Sequence, residues 1–258
     1  MTFSIDLAGR TALVTGAGQG IGAGVAAALA KAGARVAVND LVPERAEAMA
    51  ASLREGGGDA MAAPFDVTDL AQVTGVVAGL GSVDILVNNA GNAGADGWPG
   101  MVPFAETEPA DWEKFLRVNL YGVMNATRAT LPGMITGGWG RIITIISDAA
   151  RVGEPKMAVY AAAKAGAAGL TRSVANEVGR HGITANNISL GTMRTPLSED
   201  SWATADPQET AARLRGYAVR RPGLPDDVGA LVAYLASPAA SWITAQTIPL
   251  NGGYSAAL

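Results

Sequence analysis

Short apolar runs rich in β-branched residues recur along almost the whole chain, and longer stretches with helical periodicity separate them. The runs fall at 11–15, 35–39, 61–65, 85–88, 141–146, 184–188 and 246–250. Most are continuously apolar and not alternating, which is the pattern of strands buried on both faces of a sheet. Between them, alanine-rich segments at 21–32, 44–55, 111–131 and 157–181 carry the period of helices. This alternation predicts βαβ units: an α/β, doubly wound parallel sheet of about seven strands, with right-handed crossovers placing helices on both faces. No linker divides the 258 residues, so one domain over 1–258 is expected. Two segments break the alternation, 92–107 with its glycines and prolines and 193–222, which is polar and locally helical. Both follow carboxyl ends of strands, the edge where an open α/β sheet binds ligands. They are read as a substrate wall and a lid, the other reading being plain surface loops.

With 49% hydrophobic and 16% charged residues, the chain can bury a sizeable core. It has 33 glycines, many suited to close helix packing, no cysteine and a single histidine, His181. Disulfides, cysteine nucleophiles and metal sites built on thiolates or several imidazoles are excluded, and no metal is expected. His181-Gly182 ends the helix at 157–181, where a cation complements the dipole and glycine closes the turn. A formal charge of −4 offers no diffuse positive field to nucleic acid or an anionic membrane. Charged residues interrupt every long apolar stretch and no export signal is visible, so a cytoplasmic protein is expected.

The first strand runs into Thr15-Gly16-Ala17-Gly18-Gln19-Gly20-Ile21-Gly22 and then directly into a helix. Glycines there permit a tight turn that brings backbone N–H groups and the helix N-terminus against a pyrophosphate. That context, strand then loop then helix, makes Gly16, Gly18, Gln19, Gly20, Ile21 and Gly22 candidate cofactor contacts of a Rossmann-type unit. The second strand ends at Asp40, about 20 residues further on, where a carboxylate accepts from an adenosine ribose and repels the extra phosphate of NADP. No arginine or lysine stands at Ala17, Gly18 or Gln19, and Leu41 and Val42 follow the aspartate, so NAD is the expected cofactor. Alternatively, Asp40 caps the helix that begins near Pro43. Asp66-Val67 and Asn88-Asn89-Ala90-Gly91 end the next two strands, with Asp66 directed to the adenine and Asn89, Ala90 and Gly91 to the ribose edge. Equally, Asp66 serves as an N-cap and Asn88 as a bracket between strands.

Tyr160 and Lys164 stand four apart on one helical face, and Ser147 ends the fifth strand thirteen positions earlier. A phenol titrates near pH ~10 unless a cation stabilises its anion, and Lys164 is that cation. Ser147 then binds a substrate oxygen, Tyr160 exchanges its proton, and a hydride passes between the carbon and a nicotinamide.

Together these residues resemble the short-chain dehydrogenase/reductase family over nearly the full chain. The likeness rests on the glycine loop, Asp66-Val67, Asn88-Asn89-Ala90-Gly91, Asn119 in Val118-Asn119-Leu120, Ser147, Tyr160-x-x-x-Lys164 and Asn251-Gly252-Gly253. The resemblance implies a catalytic tetrad of Asn119, Ser147, Tyr160 and Lys164, in which Asn119 holds a water linking Lys164 to solvent. It also implies that Lys164 bonds the nicotinamide ribose, that 188–195 passes the carboxamide through Gly191, Met193 and Thr195, and that the protein is a homotetramer or homodimer. The chain departs from the family pattern at Leu190-Gly191, usually Pro-Gly, and at Ala245, usually glycine.

Substrate walls are expected at 94–101, 148–157 and 193–202, where Trp98, Met101, Met157 and Trp202 suit a hydrophobic alcohol or ketone or serve only as packing. The run Ser147-Asp148-Ala149-Ala150-Arg151-Val152-Gly153 looks like a stretch of family members acting on alicyclic hydroxyacyl-CoA thioesters. Arg194, Arg213, Arg215, Arg220 and Arg221 offer charges to a phosphate-bearing handle such as CoA, or form a solvated lid surface. The leading expectation is an NAD-dependent secondary-alcohol dehydrogenase acting on a small molecule, with a hydroxyacyl-CoA or a cyclic alcohol as candidates. A 3-oxoacyl-[acyl-carrier-protein] reductase comes second, opposed by the missing NADP cation. A non-catalytic dinucleotide binder comes third, because it need not keep the tetrad together.

Overall fold

The computed structural model describes residues 5–91 and 102–256. Its strands are β1 (Thr11–Val14), β2 (Arg35–Val38), β3 (Ala60–Ala62), β4 (Ile85–Asn88), β5 (Gly140–Ser147), β6 (Ile183–Leu190) and β7 (Thr247–Leu250). Its α-helices are α1 (Gly20–Lys31), α2 (Pro43–Glu55), α3 (Leu70–Leu80), α4 (Pro109–Leu116), α5 (Gly122–Gly137), α6 (Ala149–Val152), α7 (Ala158–Val178), α8 (Glu199–Thr204), α9 (Pro207–Leu214) and α10 (Pro225–Ala236). The strands form one parallel sheet in the order β3-β2-β1-β4-β5-β6-β7 with helices on both faces, the doubly wound arrangement expected. The order reverses between β1 and β4, and their carboxyl ends open the crevice in which such sheets hold ligands.

Alternation along each strand sorts its side chains between two cores. Ala12 and Val14 of β1 and Val36 and Val38 of β2 pack with Val25 and Leu29 of α1 and with Val228 and Val232 of α10. Leu13 and Ala37, on the same strands, turn to the opposite layer and meet Val73 of α3, Met134 of α5 and Val174 of α7. Burial on both faces is why the strands read as unbroken apolar runs. Close helix packing accounts for some of the glycine excess: a β-carbon at Gly229 of α10 would stand 2.8 Å from Ala28 Cβ of α1.

Three elements differ from expectation. β3 stops at Ala62, because Pro64 has no N–H for a ladder and the buried Asn39 takes the carbonyls of Ala63 and Phe65 instead, at 3.2 and 3.0 Å. The helix expected at 111–131 divides into α4, a π turn at Arg117–Tyr121, and α5. α5 also continues through Pro132 to Gly137, since Met134 beyond it is buried in the core, and it ends only where Gly138 adopts φ 65°. α7 closes through a short turn to Gly182, where His181 Nε2 accepts from Arg180 at 3.2 Å and engages its neighbour, not a helix carbonyl. The 193–222 segment contains α8 and α9, whereas the proposed wall at 94–101, with Trp98 and Met101, lies outside the described residues. No helix among the described residues is long and apolar enough to cross a membrane.

Candidate active site

At the crevice, Gln19 leads into α1 without a side chain bonded to the helix's first amides. Those N–H groups and the positive helix end are left free of a side-chain cap, as an anion site requires. Gly16 turns the chain with φ 63°, and a β-carbon there would stand 2.9 Å from Ala90 Cα. A β-carbon at Gly22 would overlap Gly16 O and Asn89 Nδ2. The loop is tied to the end of β4: Asn89 Nδ2 donates to Thr15 O and Gly16 O at 2.9 and 3.0 Å, and Thr15 Oγ1 accepts from the amides of Asn89 and Ala90. This cradle of glycines, free helix amides and a carboxylate beyond β2 fits a dinucleotide.

That carboxylate, Asp40, is buried and accepts from Gly18 N at 3.2 Å and from Val42 N at 3.0 Å. The expectation of an unaccompanied aspartate needs amending, because Arg45 on α2 brings its guanidinium to 3.9 Å. Leu41 beside it is exposed. Asp66 serves a local turn, accepting from Thr68 N at 2.8 Å, while Asp69 caps α3. Val67 is buried against Gly122, and Asn88 brackets β4 to α5 through Thr127 Oγ1 at 3.2 Å.

Further along the crevice, Ser147 from the end of β5 and Tyr160 and Lys164 from α7 line one cavity of about 370 Å³. It reaches Ile21, Asn89 and Gly91 on the glycine-loop side and Met193 and Arg213 on the lid side. Ser147 stands close enough to the Tyr160 hydroxyl to favour its anion, and Phe115 packs edge-on against the phenol at 6.3 Å between ring centres. Lys164 Nζ is buried, donates to Ile145 O at 3.0 Å and lies 6.0 Å from the Tyr160 ring centre. Asn119 sits fully buried in the π turn, where Nδ2 donates to Phe115 O at 3.0 Å. A single inserted residue of this kind is a frequent device for aiming a side chain at a functional site. Asn119 Oδ1 and Lys164 Nζ converge on Gly91, whose absent β-carbon would stand 3.2 and 3.3 Å from them. The four expected tetrad residues are therefore neighbours.

The electrostatics differ from a phenol simply lowered by its lysine. Burial pushes Tyr160 up to about 12, a rise the Ser147 hydroxyl opposes and the charge of Glu154 reinforces. Burial likewise pushes Lys164 down to about 8. In this arrangement burial sets the direction of the shift for both groups.

Asp148, next to Ser147 and buried, was not singled out from the sequence. Its carboxylate accepts from Ser189 Oγ at 2.6 Å, Arg151 Nη1 at 3.0 Å, Ser255 Oγ at 2.8 Å and Asn251 Nδ2. The ends of β5, β6 and β7 are thereby tied behind the serine. Gly191 packs against Tyr217 and Asn251, and Tyr217 OH accepts from Thr192 N at 3.0 Å. Thr195 is held in a capping box with Ser198.

A family model described as enoyl-(acyl carrier protein) reductase matches residues 16–255. The 7alpha-hydroxysteroid dehydrogenase of Escherichia coli (strain K12) is 33% identical over 254 residues, 97% of this chain and 96% of that protein. The cis-4-hydroxycyclohexanecarboxylate dehydrogenase of Sinomonas cyclohexanicum is 37% identical over 253 residues, 96% of this chain and 98% of that protein. A solved gluconate 5-dehydrogenase from Burkholderia cenocepacia J2315, in complex with NADP and tartrate, aligns at a TM-score of 0.88 and 36% identity over 98% of each chain.

Proposed function

The chain belongs to the short-chain dehydrogenase/reductase family, and on that premise we propose that it interconverts a secondary alcohol and its ketone with NAD as cofactor. The observation that carries this reading is the convergence of Ser147, Tyr160 and Lys164 on one cavity that also reaches the glycine-loop helix at Ile21. When bound, the nicotinamide supplies the hydride acceptor or donor; the glycine loop, Asp40, Asn89 to Gly91 and Gly191 to Thr195 would hold the dinucleotide. The chain's own side chains manage the proton. Ser147 donates to the substrate oxygen and fixes it, and Tyr160 Oη exchanges a proton with that oxygen. With the phenol up at about 12, Tyr160 is protonated at neutral pH and is the acid for ketone reduction. Alcohol oxidation needs the phenolate and so favours alkaline conditions. Asn119 positions a water against Lys164, through which the proton reaches solvent.

NAD is favoured because the Asp40 carboxylate beyond β2 would repel a 2′-phosphate and already engages the nearby cation, Arg45, at 3.9 Å. The position of Arg45 supports a second reading, use of NADP, as does the cofactor named for the gluconate 5-dehydrogenase. The relatives' names point to alicyclic secondary alcohols and hydroxy acids as substrates, and a 3-oxoacyl-[acyl-carrier-protein] reductase is the alternative. The same reading makes the protein a cytoplasmic homo-oligomer. The test is a panel of cyclic alcohols, hydroxy acids, hydroxyacyl-CoA esters and oxoacyl carrier mimics assayed with NAD(H) and NADP(H), alongside Tyr160→Phe. The variant should lose turnover by about a hundredfold or more while still binding NADH. Retained turnover would remove Tyr160 from the proton path.

A further inference from the structure

The catalytic cavity carries one charge of each sign that the proton transfer does not use. Glu154 lines it from the segment between α6 and α7, and Arg213 lines it from α9. Neither makes an ion pair among the described residues. Two other lid cations are engaged: Arg194 pairs with Glu199, and Arg221 with Asp227 at 2.7 Å. Arg213 lies instead over the face of Trp202, 4.9 Å from its centre. A guanidinium held on an aromatic face keeps its in-plane N–H fork for a planar anion.

The remaining wall on the substrate side is largely apolar, with Met157, Leu190 and Met193. The volume of about 370 Å³ also takes in the glycine-loop side, so the part left on the substrate side suits a compact molecule. Glu154 lines the same cavity as Ser147 and Tyr160, and its charge helps raise the phenol. Opposite charges in one small cavity also orient what enters. An anionic group is drawn to Arg213 and repelled from Glu154, whereas hydroxyl groups satisfy a carboxylate acceptor.

We propose that this cavity selects a short hydroxy acid, with Arg213 pairing to its carboxylate, Glu154 accepting from a further hydroxyl, and the reacting carbinol lying at Ser147 and Tyr160. The inference rests on the alcohol–ketone reading above and narrows its substrate class. Carboxylate and phosphate oxygens share the same attraction to a guanidinium, so the assay compares them. Turnover is measured for gluconate against its neutral counterpart sorbitol, and for 3-hydroxybutyrate against its methyl ester and its CoA thioester. The free acids should exceed the neutral partners in kcat/KM by about 10- to 100-fold, the range of a charge-assisted contact. Arg213→Met should remove that preference by raising KM for the acids. Arg215→Met, on the same lid but outside the cavity lining, should keep it.

Equal rates for acids and neutral partners would overturn the assignment. So would an unchanged KM in Arg213→Met, or an arginine-dependent preference confined to the CoA thioester. Calorimetric binding of gluconate separates the two readings. Binding that Arg213→Met abolishes, in a protein that oxidises no alcohol, keeps the anion site and refutes the dehydrogenase reading. Oxidation of neutral alcohols without gluconate binding does the reverse.

Discussion

Replacing Lys164 with Met should abolish turnover and yet make the fold more stable at neutral pH. Lys164 Nζ is buried and bonded to Ile145 O at 3.0 Å, and no carboxylate among the described residues pairs with it. Its pKa falls from 10.5 to about 8 through burial. At ~1.4 kcal/mol for each tenfold change in proton affinity, folding disfavours the ammonium by ~3 kcal/mol. The folded value lies below the unfolded one, so between pH about 8 and 10.5 the unfolded chain binds more protons. Wild-type stability therefore rises with pH across that window; the penalty is complete below it and gone above it. Met keeps the length of the side chain but leaves Ile145 O without its donor, which costs ~1–3 kcal/mol. The net gain at pH 7 is then as much as ~2 kcal/mol, or a few degrees in Tm for a chain of this size. Above pH 10.5 only the lost hydrogen bond remains, and the order reverses. Tyr160, up at about 12, contributes equally to both proteins and cancels in the difference. Thermal or urea unfolding of both proteins at intervals from pH 7 to 10.5 measures this directly. A stability difference that does not change with pH would refute the argument, whatever its sign.

Asp40→Ala removes the carboxylate that accepts from Gly18 N and frees Arg45, so the ratio of kcat/KM for NAD over NADP should fall by about tenfold or more; an unchanged ratio would place cofactor selection elsewhere. Asp148→Ala removes the acceptor of Ser189 Oγ and one of the acceptors of Arg151 and Asn251, which keep their bonds to Ser255 and Ala256. It should destabilise by ~1–3 kcal/mol, visible as a lowered urea midpoint. Ala245 adopts φ 59° at the position where the family usually has glycine, so Ala245→Gly should raise stability by ~1 kcal/mol, checked by the shift in Tm.

What could be read from the sequence depends on how far apart the cooperating residues lie. The strands were legible because two-sided burial writes itself into consecutive residues, as at Ala12, Leu13 and Val14. Tyr160 and Lys164 were legible because a single helical turn brings them to one face. The π turn around Asn119 was not, since the local pattern is that of any amphipathic helix and the cause of the insertion is tertiary. The extra residue turns Asn119 toward Gly91 and Lys164, which belong to other elements. The extension of α5 beyond 131 was not legible for a like reason: it runs through Pro132 because Met134, beyond it, is buried in the core. Asp148 shows the limit most plainly. Its partners Ser189, Asn251 and Ser255 lie 41, 103 and 107 positions away, and each alone is an ordinary polar residue at the end of a strand or turn. Only the parallel register of β5 with β6 and β6 with β7 brings them behind Ser147. The identity of the proposed reacting groups is thus local information, whereas the rigidity that positions Ser147 is a property of the assembled sheet edge. Substitutions of Asp148 should consequently disturb turnover by shifting Ser147 while Asn119, Ser147, Tyr160 and Lys164 all keep their identity.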